Sequence, residues 1–233
     1  LFYAMAAQAA PTSSFELSTF KKLSAGEPKG TLISSFGEVV PGYGSTRLTP
    51  KGKKAALMYW SSAKAKDGTL YLGAGQPAKI YALKGGKLRV VADLGAVLVS
   101  ALTIGPKGKL IAGTLPDARI LSVDPGNGKW KELGRLPSKH VWDLDYDAKR
   151  GRLVAAGGAP GKLYTLPATG GKVSEYYAPG EKHLLFVSRD TRGALLTGGS
   201  DKAILYRVTG KGRATAIHDF DATELRKVVA AAD

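Results

Sequence analysis

The stretch Asp67-Gly68-Thr69-Leu70-Tyr71-Leu72-Gly73 decides the fold, because it returns three times along the chain. Its counterparts are Lys107-Gly108-Lys109-Leu110-Ile111-Ala112-Gly113, Arg150-Gly151-Arg152-Leu153-Val154-Ala155-Ala156-Gly157 and Arg192-Gly193-Ala194-Leu195-Leu196-Thr197-Gly198. Each is a turn glycine followed by a short apolar strand, and the glycines step by 40, 43 and 42 residues. A second strand lies just downstream, at Ile80, Ile120, Leu163 and Leu205, with the same steps. A glycine-rich turn closes each unit: Gly85-Gly86-Lys87, Gly126-Asn127-Gly128-Lys129, Gly170-Gly171-Lys172 and Gly210-Lys211-Gly212-Arg213. Glycine and asparagine supply the positive φ that tight hairpins require. Independent landmarks held in one register mark an internal repeat.

Each repeat reads as strand, turn, strand, loop, strand, glycine turn, strand, with no sustained helical period between. Four antiparallel strands in about 42 residues make the blade of a β-propeller. The cadence D-G-x-L-Y-x-G followed by G-K-I-Y-x-L resembles bacterial β-propeller repeat proteins of the WD40-like and two-component-regulator-type superfamily. The resemblance runs from about Ala55 to Asp233 and implies a fold, not an activity. Trp142-Asp143 lies in a first strand, away from the usual place of a Trp-Asp pair in WD40 repeats.

The expected fold class is therefore all-β: a β-propeller of four complete blades plus a partial fifth, a fragment of a larger propeller. The blades are expected at 55–95, 96–138, 139–181 and 182–222, with the partial one at 223–233. Residues 15–54 hold N-terminal strands, with Lys29–Ile33 resembling a blade strand and Phe36–Val40 the next, and form a possible ring-closing segment. Residues 1–14 read as a signal-peptide remnant or a flexible tail, since Ala7-Gln8-Ala9 has the small-residue pattern of a cleavage end.

Composition narrows the classes further. The 233 residues hold 34 Lys and Arg against 19 Asp and Glu, a formal charge of +15, and 44% are hydrophobic. A chain this apolar buries a core and is not disordered throughout. Absence of cysteine excludes disulfides, thiolate metal sites and a Cys nucleophile. No run of about 18 apolar residues provides a transmembrane helix. The chain is expected to be exported, periplasmic or extracellular, with the cytoplasm as the alternative.

Candidate chemistry is sparse. No G-x-S-x-G elbow occurs, and His140, His183 and His218 are the only histidines. His140 and His183 share a repeat position, each after a lysine (Lys139, Lys182), and their counterparts are Met58, Leu98 and Glu224. First strands line a propeller's channel, so two imidazoles and a carboxylate there suit a divalent metal or a polarised substrate. The plainer expectation is polar strand ends facing channel water, with no metal and no cofactor. Trp60 and Trp142, two residues further along, are expected to wedge blades together, or else to floor a pocket. Gly73–Ala78 and Gly157–Lys162 imitate phosphate-binding loops, but a strand follows each rather than a helix.

Lys87, Lys129, Lys172 and Arg213 fall on equivalent turns and form a basic arc on one side of the disc. The plainer expectation is solvated turn cations that keep the chain soluble and guard strand edges. The arc also suits an acidic partner, whether nucleic acid, anionic lipid or an acidic polymer, while its lack of interleaved aromatics argues against single-stranded nucleic acid. The expected function is a non-catalytic scaffold or binding module presenting loops and channel rim to a protein or anionic ligand. The expected ligand contacts are Lys139, His140, Trp142, Lys182, His183 and Glu224. The alternatives are a metal-assisted hydrolase or lyase with its site in the channel, and a basic nucleic-acid-binding module.

Overall fold

The structure is a computed structural model, and it describes residues 19–26, 29–36, 38–42 and 56–230. The chain divides into two units, Leu1–Arg47 and Leu48–Asp233. In the first, a one-turn helix α1 (Phe20–Leu23) begins where the Thr19 hydroxyl accepts the Lys22 N–H at 3.3 Å. It is followed by a hairpin of β1 (Thr31–Ile33) and β2 (Val39–Pro41), with Leu32 opposite Val40. The segments expected as a signal remnant (1–14) and the last residues of the partial blade (231–233) lie outside the described residues, as do 43–55.

The second unit is four consecutive four-stranded antiparallel blades. The first is β3 (Met58–Lys64), β4 (Leu70–Gly75), β5 (Lys79–Lys84) and β6 (Lys87–Asp93). The second is β7 (Leu98–Ile104), β8 (Leu110–Leu115), β9 (Arg119–Val123) and β10 (Trp130–Arg135). The third is β11 (His140–Asp147), β12 (Arg152–Gly158), β13 (Leu163–Pro167) and β14 (Ser174–Tyr177). The fourth is β15 (His183–Arg189), β16 (Leu195–Ser200), β17 (Ile204–Gly210) and β18 (Arg213–Asp219). Within a blade each strand pairs with the next, as the recurring turns foretell.

Successive blades touch at their inner strands. Gly75 of β4 bridges Leu98 of β7, and Gly158 of β12 bridges His183 of β15. The chain after β18 repeats the contact: Glu224 bridges Ser200, and the Leu225 N–H reaches the Gly199 carbonyl at 2.9 Å. The segment beyond β18 thus meets the fourth blade through one bridge rather than as a strand.

Strand alternation explains the packing. Successive side chains of a strand point to opposite faces, and an inner blade is covered on both. Leu110 and Ala112 of β8 join the core between the first two blades, with Ile80, Leu94 and Val99. Their neighbour Ile111 joins the next core, with Val141, Leu153 and Ala155. Val154 and Ala156 then face the last core, with Leu163, Leu184 and Val187. Second strands are buried along nearly their whole length, whereas the outermost β18 is almost entirely exposed. Burial on both faces grips the second and third blades and on one face the first and fourth, and their inner strands carry the site.

Candidate functional site

Each inner strand carries a β-bulge at the same place. The ladder skips Trp60 in β3, Ser100 in β7, Trp142 in β11 and Leu185 in β15. A bulge leaves one residue unpaired and re-aims its side chain. All four bulge residues line one cavity of about 660 Å³, along with Asp143, His183, Ser200, Glu224, Arg226 and Lys227. The repeat thus delivers one side chain per blade to a common cleft: two indoles, a hydroxyl and an aliphatic group.

Residues at or beside the bulges also tie each blade to the next. The Ser61 hydroxyl donates to the Val99 carbonyl at 2.9 Å, and the Ser100 hydroxyl to the Val141 carbonyl at 2.5 Å. In the third blade Asp143 reverses the polarity and accepts the Val187 N–H at 3.0 Å. It also accepts its neighbour's Leu144 N–H at 2.9 Å and pairs with the Lys227 ammonium. Burial pushes the Asp143 carboxyl above the usual carboxylate range, against the pull of Lys227 and the two N–H groups. Lys227 itself comes from the chain beyond β18, so this pair pins that segment over the cleft.

The imidazoles meet as the repeat spacing foretells. The His140 and His183 ring centroids lie 5.5 Å apart, and His140 stacks on Trp142 at 5.1 Å. Trp142 Nε1–H donates to His183 Nδ1 at 3.1 Å, which leaves Nε2 to carry the proton of the neutral ring. The Nδ1 of His140 is buried without a hydrogen-bond partner. Burial holds the His183 pKa below its ordinary 6.5, helped by the positive charge of His140 and Lys182 and opposed by Asp201 and Glu224. A lowered pKa means the unfolded chain takes up the proton first, so this residue costs stability as pH falls below 6.5. Trp142→Phe removes the donor that holds the neutral ring. In an NMR titration the His183 pKa then rises toward its ordinary value, whereas an unchanged value would contradict the bond.

Gly158 shows how tightly this corner is built. A Cβ there would lie 2.2 Å from both Trp142 Nε1 and His183 Nδ1, so only glycine lets the pair form.

The structure gathers His140, Trp142 and His183 into one cluster and places Glu224 on the wall of the adjoining cleft. The Glu224 carboxylate pairs with Arg226 at 2.7 Å. Lys139 and Lys182 sit at the same loop ends but are exposed, and neither is among the cleft-lining residues. The backbone of each joins the blade junction: Lys139 N–H donates to the Gly158 carbonyl, and the Lys182 carbonyl accepts the Ala159 N–H. Trp60, expected to wedge between blades, is instead 50% exposed and faces the cleft; Trp142 does both. Asp143, Lys227 and the bulge serine Ser100 lie outside the expected contacts; Ser100 shares the repeat position of Trp142, while Asp143 and Lys227 fall one residue beyond it. Among the described residues, no group of three or more His, Cys, Asp or Glu side chains is placed to hold a metal ion. Lys87, Lys129, Lys172 and Arg213 all lie exposed at the turn between the third and fourth strands of their blades.

No family model and no curated protein sequence matches the chain. Solved structures do. A chain of the Nidogen/Laminin complex superposes with a TM-score of 0.62 at 15% identity, over 82% of this chain and 71% of that one. Virginiamycin B lyase from Staphylococcus aureus gives 0.58 at 17% identity, over 82% of this chain and 61% of the lyase. The extracellular domain of BT4673 from B. thetaiotaomicron gives 0.55 at 19% identity, over 72% and 23%. The chain therefore spans less than two thirds of the lyase and under a quarter of the BT4673 domain. Together with the blades, these likenesses establish the β-propeller fold. Proteins of such different names on one fold leave function to the site itself. Among the described residues, no helix is long and apolar enough to cross a membrane.

Proposed function

We propose that this protein is an exported binding propeller that holds a ligand, or a loop of a protein partner, in the inner-strand cleft. The observation that carries this reading is the recurrence of one bulge in four blades, with all four bulge residues on one cavity wall. A cavity of about 660 Å³ is within the usual range for small-molecule sites. Two indoles offer large flat contact area, while Asp143, Glu224, Arg226 and Lys227 supply polar groups that fix orientation. The mechanism is rigid display: strands laddered into the packed blades hold the recognition groups, and binding requires no covalent step. Export is supported by the small-residue pattern at Ala7-Gln8-Ala9 and by the extracellular domain among the structural neighbours.

A thermal-shift screen of small fragments tests the reading. Fragments that raise the Tm of the wild type should lose their effect on Trp60→Ala/Trp142→Ala, where the flat walls are gone. Undiminished shifts on that variant would place binding elsewhere and sink the proposal.

A further inference from the structure

In an antiparallel blade successive turns alternate between the two faces of the disc, so the first and third turns of every blade share a face. Sorted this way, the chain's charge divides sharply. Counting the residues between strands and the one strand residue at each end, the first and third turns of the four blades carry fifteen lysines and arginines against four aspartates. The second turns and the connections from one blade to the next, counted alike, carry seven against four, and the Asp219 end of β18 adds further acid. Nearly all the excess charge of the propeller therefore lies on one face, opposite the end where the histidines sit.

Each of the four aspartates braces its own turn, and three also pair with basic side chains: Asp67 with Lys84, Asp147 with Arg150 and Arg152, and Asp190 with Arg207. Asp67 accepts the Thr69 N–H, Asp124 the Gly126 N–H, Asp147 the Arg150 N–H and Asp190 the Arg192 N–H, at 2.8–3.3 Å. The lysines and arginines of the glycine turns remain outside. Among the described residues Lys87, Lys129, Lys172 and Arg213 enter no ion pair and are exposed. Two niches recur on this face, of about 380 Å³ in the first blade and 320 Å³ in the third. Lys84, Lys87 and Arg89 edge one, where the Asp67 carboxylate takes up Lys84 and leaves Lys87 and Arg89 without a carboxylate partner among the described residues; Arg150, Arg152 and Lys172 edge the other, beside Thr165.

We propose that this basic face docks on an anionic lipid bilayer, seating phosphate headgroups in the niches. This goes beyond the cleft reading and does not rest on it. Charge spread over eight turns of one disc face meets a planar anionic surface all at once, whereas a linear polyanion engages only those along its track. Among the described residues, the exposed aromatic beside these turns, Trp130, has its indole N–H bonded to the Asp93 carbonyl, and the half-buried Tyr176 is covered by the Arg152 guanidinium at 4.8 Å, so the face offers no row of exposed rings for bases to stack on.

The test is co-sedimentation with vesicles of phosphatidylglycerol and of phosphatidylcholine, alongside heparin and single-stranded DNA binding. The wild type is expected to sediment with phosphatidylglycerol and not with phosphatidylcholine, and to be released by high salt. Neutralising Lys87, Lys129, Lys172 and Arg213 to Gln should lower partitioning by about a hundredfold or more, since each cation near the surface contributes about fivefold. An equal charge loss on the other face, K79Q/R135Q/K162Q/K202Q, should leave most of it. Equal losses in the two variants would show a mere net-charge effect. Binding to heparin or DNA without phosphatidylglycerol binding would assign the face to a soluble polyanion. Either result overturns the proposal, as does no sedimentation at all.

Discussion

Gly199→Ala should cost the fold at least about 3 kcal/mol, the largest loss expected from one added methyl group on this chain. Gly199 pairs with Leu184 at the inner end of β16, and its Leu225-bound carbonyl anchors the segment beyond β18. A Cβ built there would lie 1.8 Å from the His183 carbonyl oxygen, a backbone atom that cannot rotate away. The β15–β16 ladder must then open next to the Trp142–His183 bond, so destabilisation and loss of the site arrive together. Urea denaturation measures the first, and the His183 imidazole signals report the second. A loss under about 1 kcal/mol would mean that the two strands are not packed as described.

Asp143→Ala should cost about 2 kcal/mol, by a different route. The carboxylate serves three partners from three places: Leu144 on its own strand, Val187 on the next blade and Lys227 beyond β18. Its removal leaves a backbone N–H between blades without an acceptor and frees the terminal segment. The carboxyl pKa is nevertheless raised, so burial outweighs the attraction of the groups around it. A paired apolar replacement should therefore restore much of the loss, as it does for ion pairs that are costly to desolvate. Asp143→Leu/Lys227→Met is expected within about 1 kcal/mol of the wild type, well above Asp143→Ala alone. An Asp143→Ala variant as stable as the wild type would show that the pair holds nothing in place.

The fold was legible because glycine turns and apolar strands repeat in one register, and each is a local signal with a local cause. Period-two alternation in Leu110-Ile111-Ala112 even foretells that neighbouring residues serve two different cores. The meeting of His140 with His183 followed from the same register. What the sequence concealed was the bulge, since an unpaired residue in a strand carries no compositional mark when it is Trp, Ser and Leu by turns. Without it, nothing separates a wedge from a pocket floor at Trp60. Asp143 was hidden for a related reason: its partners lie 44 and 84 residues away, and neither lies at a landmark of the repeat. The basic arc on the third turns was visible from spacing alone. The matching charge on the first turns emerged only once strand order assigned turns to faces.

The most direct test of the central claim, one cleft built from four inner-strand bulges, uses the chain's three tryptophans. Trp60 and Trp142 line the cleft, whereas Trp130 opens the outer strand β10. Each indole N–H gives its own resonance, so a fragment found in the thermal-shift screen can be titrated and followed at all three. Binding in the cleft moves the Trp60 and Trp142 signals together, with one saturation curve, and leaves Trp130 in place. Fragments that shift Trp130 alone, or Trp60 and Trp142 with unrelated curves, would contradict a single cleft.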